Sequence, residues 1–528
     1  MPAAGQRGEW GNVGVFIGVD IGTTSTKTIA FDPEGAILAE ESVGYELRSP
    51  QPSRAEQDPD EILEAVLGSL AAVVQQVEET QNDKVSGVSF SAAMHSLLAL
   101  DEEGNPLTPS ITFADNRAAG QAARIREELD GPELHRRTGT PIHPMSPLAK
   151  LLWFREEDEE TFEAAARWVS IKEYVFFRLF GEYVVDHSIA SATGLFNLEN
   201  LDWDEGALGV AGVSVDSLSR PVPTTHVVTG MNEELAGRLR LDVNTPFVAG
   251  ANDGVLANLG LGAVAPGVVA CSIGTSGAVR SVVHEPRVDD DRKLFCYALT
   301  EEQWVVGGPI NNGGIAFQWA LEKLFPGLGR EAEDQGRDPN ELAGEMVEDV
   351  PAGSGGLIFL PYLTGERAPY WNADVKGVFF GLTLQHERKH LIRAVMEGVI
   401  YQMYAVQLAL EKTFGEPREI RATGGFANSP VWRQIMADVF QRGISFPESY
   451  ESSCWGAALL GMKALGAIDS LDTANEMTRI PTTQEPNERS AAVYHELMEI
   501  FTRLYERLEP EFTEISKFQD SYMDDEKG

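Results

Sequence analysis

Positive charge is what this sequence has least of for its size. Its 528 residues carry 81 Asp and Glu against 42 Lys and Arg, for a formal net charge of −39, and lysine is sparse beside arginine. A field of that sign repels phosphate backbones, which excludes nucleic acid as a partner. It suits a cytoplasm rich in salt, where screening relieves self-repulsion, and it suits plain solubility equally well. Cysteine is nearly absent. Cys271, Cys296 and Cys454 are odd in number and scattered, which excludes a disulfide framework and a Cys-based metal site. No apolar run approaches the ~20 residues needed to cross a bilayer, so no membrane association is expected. The opening MPAAGQRGEWGNVG lacks the apolar core of a signal peptide. The expected setting is a reducing, cytoplasmic one.

What is present is the composition of a soluble globular protein, 43% hydrophobic and 23% charged, in a chain too long for one core. Residues 15–41 read as three strands in succession: an apolar run from Val15 to Asp20, a second strand from Lys27 to Phe31, and a third after the turn Asp32-Pro33-Glu34-Gly35. Gly22-Thr23-Thr24-Ser25 between the first two is small and polar. A concavity of hydroxyls and backbone N–H groups suits phosphate oxygens, and the adjacent Asp20 carboxylate could hold a hydrated Mg²⁺ on them. An ordinary hairpin turn would read the same way. Asp58-Pro59-Asp60-Glu61 then signals a helix start, followed by Ile62, Val66, Leu70, Val73 and Val77 at helical spacing.

A strand over 85–91 ends at Met94-His95, where an open α/β sheet places ligand contacts, although a lone His is as readily structural. A second polar cluster holds Asp115 and Arg117. The stiff loop 137–147, with three prolines, carries His143 and Met145. Residues 150–153 and the acidic run after them are expected on a surface helix, and 172–179 on an aromatic core helix. Phe247 to Asn252 forms another buried strand, and Asp253 after it stands near a helix N-terminus, where the dipole would hold it ionised. An N-cap aspartate is the plain alternative. Residues 268–279 echo 15–28: apolar strand, Gly274-Thr275-Ser276 turn, strand. Two such units suggest a duplicated fold around one cleft. Further on, Asn312-Gly313-Gly314 precedes a helix with Gln318, and the strand at 421–423 runs into Gly424-Gly425 and Ser429. A last helix is expected over 491–508, with Val493, Leu497, Phe501, Leu504 and Leu508 as its stripe and fraying beyond Pro510.

Together these pieces resemble the FGGY family of carbohydrate kinases from about residue 15 to 508. Asp20 to Lys27 is similar to the family's first phosphate motif and Gly274-Thr275-Ser276 to its second. Met145-x-Pro147-x-x-Lys150-x-x-Trp153 is similar to one family signature, and Gly377-x-Phe379-x-Gly381-Leu382 with His390-Leu391 and Ala394 to Glu397 to the other. Within the family, residues 91–96, 137–147, 365–369 and 447–454 resemble the gluconate-phosphorylating branch.

The resemblance implies an α/β fold of two actin/hexokinase-type (ribonuclease H-like) ATPase domains with an interdomain cleft. Their expected extents are 13–260 on the sugar and phosphate side and 261–475 on the nucleotide side, with a helical and acidic extension over 476–528. It implies ATP and Mg²⁺ as cofactors and a small-molecule sugar acid as substrate, with a homodimer left open. Asp253 would be the general base and would share Mg²⁺ with Asp20. Thr23, Thr24, Ser25, Lys27, Gly274 and Thr275 would surround the phosphates. Gly314, Gln318, Gly424, Gly425 and Ser429 would line the nucleotide. Met94, His95, Asp115, Arg117, His143, Met145 and Asn252, with Asp253, would border the sugar. The expected reaction is phosphorylation of D-gluconate. Xylulose or another sugar acid is the alternative within the class, and an ATP-driven conformational switch the alternative outside it.

Overall fold

The computed structural model describes residues 14–51, 53–81, 84–448 and 451–525. Residues 1–13, and Ser449 and Tyr450 of the stretch 447–454, lie outside the described residues. Strand β1 (Val15–Ile21) is buried on both faces, as its apolar run predicts. It pairs antiparallel with β2 (Ser25–Phe31), and β2 with β3 (Ile37–Gly44). The turn between them is the expected one, with Gly35 N–H donating to Asp32 O at 3.0 Å and Gly35 at φ +90°. Helix α1 (Pro59–Gln81) begins where its cap places it, Asp58 Oδ1 accepting from the backbone N–H of Asp60 at 3.0 Å and of Glu61 at 3.4 Å. Its stripe Ile62, Val66, Leu70, Val73 and Val77 is buried over β2 and β3. Strand β4 (Val85–Ala92) runs parallel to β1 on the other side.

Helix α2 (Pro147–Glu157) departs from the surface helix expected at 150–153. Leu148, Ala149, Lys150, Leu151 and Leu152 are all buried. Lys150 turns its charge inward, and Nζ donates to the carbonyls of His95 (2.6 Å), Thr112 (2.8 Å) and Ile111 (3.3 Å). Three acceptors replace its hydration shell. Helix α3 (Ile171–Phe180) is the expected aromatic core helix, closed by a Ser170–Glu173 capping box. Then come β5 (Val227–Val228), β6 (Phe247–Asn252) and α4 (Asp253–Gly260), which complete a sheet of order β5-β6-β4-β1-β2-β3.

The second half adds β7 (Val268–Ile273), β8 (Gly277–Val283), β9 (Phe295–Ala298), β10 (Trp304–Ile310), α5 (Gly314–Trp319), α6 (Arg388–Phe414), β11 (Glu419–Thr423), α7 (Pro430–Phe440), β12 (Ile444–Phe446), α8 (Ser452–Ala464), β13 (Thr482–Gln484) and α9 (Glu488–Asp525). Its sheet order is β9-β10-β8-β7-β11-β12-β13. Apart from the extra edge strand β9, this repeats the first sheet strand for strand. β7, β8 and β10 are antiparallel like β1, β2 and β3, and β11 and β12 are parallel to β7 as β4 and β6 are to β1. The duplication suggested by the short echo at 268–279 therefore extends through the whole sheet.

Helix α8 follows the last parallel strand of the second sheet, yet it lies against α4, β1 and β4 of the first lobe. Backbone-to-backbone contact makes this crossing. A Cβ on Gly18 would stand 2.0 Å from Cys454 O, and one on Gly456 2.0 Å from Leu256 O. Helix α9 also departs from expectation. Of the expected stripe Phe501 and Leu504 are buried and Leu497 and Leu508 half-buried, but Val493 is 39% exposed, Tyr494, Met498, Tyr505 and Phe512 are buried as well, and the helix runs through Pro510. Proline removes one helical hydrogen bond, and burial of Phe512 beyond it, with its ring 6.3 Å from that of Tyr362, holds the next turn in place.

Candidate active site

Parallel strands of the first lobe end level with one another. Asp20 of β1 and Ala251 of β6 both stand in register with Ser91 of β4. This brings Asp20 and Asp253 to the same carboxyl edge of the sheet, where such folds place ligands. Ser91 Oγ donates to Asp20 Oδ1 at 2.6 Å. The N-cap of α4 is Asn252, whose Oδ1 accepts from Val255 N–H at 2.9 Å. Asp253 occupies the first helical position and accepts from Gly254 N–H at 2.6 Å. Removal from bulk water raises the Asp253 pKa, against the lowering influence of Arg280, the Gly254 N–H and Arg367. Asp20 is pushed up to about 7, first by burial and then by Asp253, with the Ser91 hydrogen bond opposing.

Among the described residues no group of three or more His, Cys, Asp and Glu side chains could hold a metal ion. Two neighbouring carboxylates remain, and they fit a hard divalent cation that keeps most of its ligands as water and phosphate.

Two turns face the carboxyl edges of the two sheets. In the first, Thr24 is exposed and Thr23 and Ser25 are half-buried. The turn is tied from its carbonyls, by Gly22 N–H to Ser25 O (3.0 Å), Tyr45 N–H to Thr24 O (3.0 Å) and Gln57 Nε2 to Thr23 O (2.5 Å). Lys27 beside it forms an ion pair at 2.5 Å with Glu451, immediately before α8. In the second turn Gly274 and Thr275 are exposed. The start of α5 closes on it, with Gly314 N–H to Gly274 O at 2.7 Å and Ile315 N–H to Thr275 O at 3.1 Å.

Gly274, Thr275, Gly314, Gln318, Gly425 and Ser429 all line one cavity of ≈ 1140 Å³. Gly424 serves differently. Its φ is +113°, and a Cβ there would stand 2.1 Å from Ile273 O, so it allows β7 and β11 to pass closely while Gly425 faces the cavity. Ser429 also caps α7, its side chain accepting from Trp432 N–H.

The sugar-side candidates divide. His95 is buried at φ +68° and donates from Nδ1 to Ala192 O at 2.7 Å. Half-buried Met94 reaches Gly254, since a Cβ there would stand 3.1 Å from its methyl. His143 is buried, accepts from Met145 N–H at 3.2 Å, and lies edge-on to Trp371 at 5.8 Å. It also lines a separate cavity of ≈ 620 Å³ with Arg126, Trp371 and Glu509, which none of the other candidates reaches. Burial, followed by nearby cations, pushes both histidines down to about 3, so both are neutral donors or acceptors.

Asp115 and Arg117 are spent on each other. The guanidinium bonds Asp115 through Nε (2.9 Å) and Nη2 (2.8 Å), also pairs with Glu56, and stacks 5.2 Å over Trp153. Met145 and Asn252 are 0% exposed and offer no surface to a ligand in this conformation.

Arg280 is the residue that sequence reasoning missed. It stands half-buried in the middle of β8, opposite Gly307, which carries no side chain to crowd it. A Cβ on Gly254 would be 3.2 Å from its Nε, so the guanidinium lies against the turn that carries Asp253. The available signal was a lone arginine inside the apolar stretch GAVRSVV, directly after the Gly-Thr-Ser turn. Arg367 approaches the same group, fixed by Asn311 Oδ1 at 2.6 Å and Ile310 O at 3.2 Å and stacked 5.5 Å over Phe113.

Duplicated sheets, a hydroxyl- or glycine-rich turn at the edge of each, and a carboxylate pair beside them define a two-lobed, phosphate-handling ATPase fold of the actin/hexokinase type. The sequence profile of the FGGY family of carbohydrate kinases matches this chain over residues 15–260 (N-terminal domain) and 269–465 (C-terminal domain), and the chain belongs to that family. Gluconokinase of Bacillus subtilis (strain 168) is 49% identical over 505 residues, spanning 96% of this chain and 98% of its own. Two solved structures superpose with a TM-score of 0.89 at 35% identity, each covering 95% of this chain and 99% of its own: gluconate kinase and ligand-bound xylulose kinase, both from Lactobacillus acidophilus. Membership makes the chain a carbohydrate kinase and implies ATP as phosphoryl donor. Among the described residues no helix is long and apolar enough to cross a membrane.

Proposed function

We propose that this chain transfers the γ-phosphoryl group of ATP to the 6-hydroxyl of D-gluconate, giving 6-phosphogluconate, in the cytoplasm. The observation that carries the phosphoryl-transfer reading is the level ending of β1 and β6, which sets Asp253 beside Asp20 at the sheet edge. The substrate reading is supported by a relative of 49% identity over nearly the whole of both chains that is named for gluconate. The gluconate-named and xylulose-named structures do not separate the two substrates, since both stand at 35%.

The chemistry needs in-line positioning and charge neutralisation more than covalent help from the protein. Asp253 accepts the proton of the 6-hydroxyl. Its raised pKa makes it a better proton acceptor than a solvated aspartate, provided it starts ionised. Thr23, Thr24, Ser25 and Lys27 meet the transferring phosphates from the first lobe, and Gly274 and Thr275 from the second. Lys27 exchanges its partner Glu451 for phosphate oxygen. Gly314, Gln318, Gly425 and Ser429 hold the nucleotide in the ≈ 1140 Å³ cavity. Asp20 would hold Mg²⁺, which would supply charge neutralisation at the transferring phosphates. His95, with Met94, borders the sugar as a neutral group. The proposed domain division falls near residue 260, where α4 ends.

A panel of sugar acids, ketopentoses and glycerol with Mg-ATP tests the assignment. Gluconate should have the highest kcat/KM; equal or better turnover of xylulose would overturn it.

A further inference from the structure

The proposed substrate carries a carboxylate, and neutralising it in the cleft takes cations that no protein anion has already claimed. Most of the nearby cations are spent. Lys27 is held by Glu451, Arg117 by Asp115 and Glu56, and Lys172 by Asp186 at 2.5 Å. Lys150 is surrounded by three carbonyls, and His95 and His143 are neutral.

Arg280 and Arg367 are different. Among the described residues neither is in a salt bridge of hydrogen-bonding distance. Their hydrogen-bond partners are neutral: Ser272 Oγ at 3.3 Å for Arg280, and Asn311 Oδ1 and Ile310 O for Arg367. Glu366, next to Arg367, is used by its own surroundings, accepting from the Asn311 and Arg367 backbone N–H groups and from Asn312 Nδ2. The two guanidiniums lie close enough to oppose each other's charge; Asp253 acts on both, and Glu366 acts on Arg367 ahead of it, but neither carboxylate is hydrogen-bonded to either guanidinium among the described residues.

Tyr297 supplies the second, independent observation. It is 1% exposed on β9, its ring lies 6.0 Å from that of His95, and among the described residues its hydroxyl has no hydrogen-bond partner. A buried hydroxyl without a partner is costly unless a ligand supplies one. Burial raises its pKa, so it stays a donor, and Arg367 is among the charges that act on it.

We propose that Arg280, Arg367 and the Tyr297 hydroxyl form the receptor for the carboxylate of the sugar acid. They are the groups that separate it from neutral polyols and ketoses. This rests on the gluconate reading above. Arginine suits the role because its planar fork matches a carboxylate and it stays charged when partly desolvated. The stack on Phe113 and the bonds to Asn311 and Ile310 hold the fork of Arg367 in place before substrate arrives.

The test compares kcat/KM for D-gluconate and D-glucitol, which keeps the 6-hydroxyl and replaces the carboxylate with a primary alcohol. Wild type should prefer gluconate by about 10²-fold or more, since charge-assisted hydrogen bonds are at stake. In Arg280→Met and in Arg367→Met this ratio should fall by roughly 30-fold or more, mainly through the KM for gluconate. In Tyr297→Phe it should fall about 5–20-fold. Retained ADP binding by calorimetry certifies each fold. Should a Met variant not fold, Tyr297→Phe, whose ring stays stacked 4.3 Å from Phe295, decides the matter by the same ratio.

Equal losses on both substrates would assign the arginines to the transferring phosphoryl group and overturn the proposal, as would an unchanged ratio. A wild-type enzyme that does not prefer gluconate overturns the substrate reading itself, and this proposal with it.

Discussion

Asp253 and Asp20 stand at one sheet edge through strand register alone, so their roles can be separated by substitution. Asp253→Asn keeps the side chain's size and its acceptor for Gly254 N–H but cannot take the proton of the acceptor hydroxyl. The expected loss in kcat is about 10²–10⁴-fold, with ATP and gluconate binding within about tenfold of wild type. Calorimetry beside steady-state rates checks this, and nearly full activity would remove Asp253 from the mechanism.

Asp20 makes a second prediction, on stability. Its folded pKa, about 7, lies above the unfolded value of 3.8. The folded state therefore favours the protonated form. The associated stability is fully present below about pH 4 and is lost as the pH rises through 7. Asp20→Asn should leave the ligand-free protein more stable at pH 8 by on the order of 1–2 kcal/mol, with little difference at pH 4.5; solvent reaching the half-buried group keeps the effect below the full shift. Activity should fall sharply in the same variant. Urea unfolding at the two pH values reads it, and a less stable variant at pH 8 refutes the pKa assignment.

At this scale the sequence was informative about carboxylates and glycines, because strand ends and turns announce themselves. It was silent on Arg280 and Tyr297. A residue inside a strand shows its role only once the opposite lobe is in place. Arg117 misled for the converse reason, since its partner Glu56 comes from a distant stretch.

Among elements, the crossing of α4 and α8 matters most for function, because α4 carries Asp253 at its first turn and α8 begins beside the Lys27–Glu451 pair. Gly456→Ala would put a Cβ 2.0 Å from Leu256 O, and a backbone atom cannot rotate aside. The two helices must separate. The expected cost is about 1–3 kcal/mol or more, with a fall in kcat as Asp253 moves from its place. Thermal unfolding and kcat measured together check this; a variant of unchanged stability and rate would show that the crossing has slack. The sheets were legible because an apolar run, a glycine turn and a second run repeat in both halves. The crossing was not, because Gly18, Gly260 and Gly456 look like any small residues until another backbone lies on them. Helix α2 was misread at 150–152, which are buried although the acidic run after them is exposed, and three carbonyls satisfy the charge of Lys150 inside the protein. The length of α9 was misread from Pro510, because packing of Phe512 outweighs one lost hydrogen bond.

For the whole molecule the governing quantity is the excess of acid. The net charge of −39 is offset locally at Asp253, on which Arg280, Arg367 and Lys172 all act. The excess therefore lies on the outer surface. Helix α9 illustrates it, with Glu506, Glu509, Glu511 and Glu514 all exposed. Like charges on a compact surface repel, and unfolding spreads them apart, so this repulsion destabilises the fold. The Debye length shrinks from about 30 Å at 0.01 M salt to about 3 Å at 1 M, and the repulsion between charges separated by more than that distance is lost. The melting temperature at pH 7 should therefore rise between those concentrations of KCl. The ion pairs that salt also weakens are mostly surface pairs worth about 0–1 kcal/mol each, too little to reverse the trend. Replacing Glu511 and Glu514 by Gln should raise the melting temperature at 0.01 M more than at 1 M, which separates screening from any general effect of salt on apolar burial. A melting temperature that is flat or falls with KCl, or a double variant that gains equally at both concentrations, would show that surface repulsion is not what limits this fold.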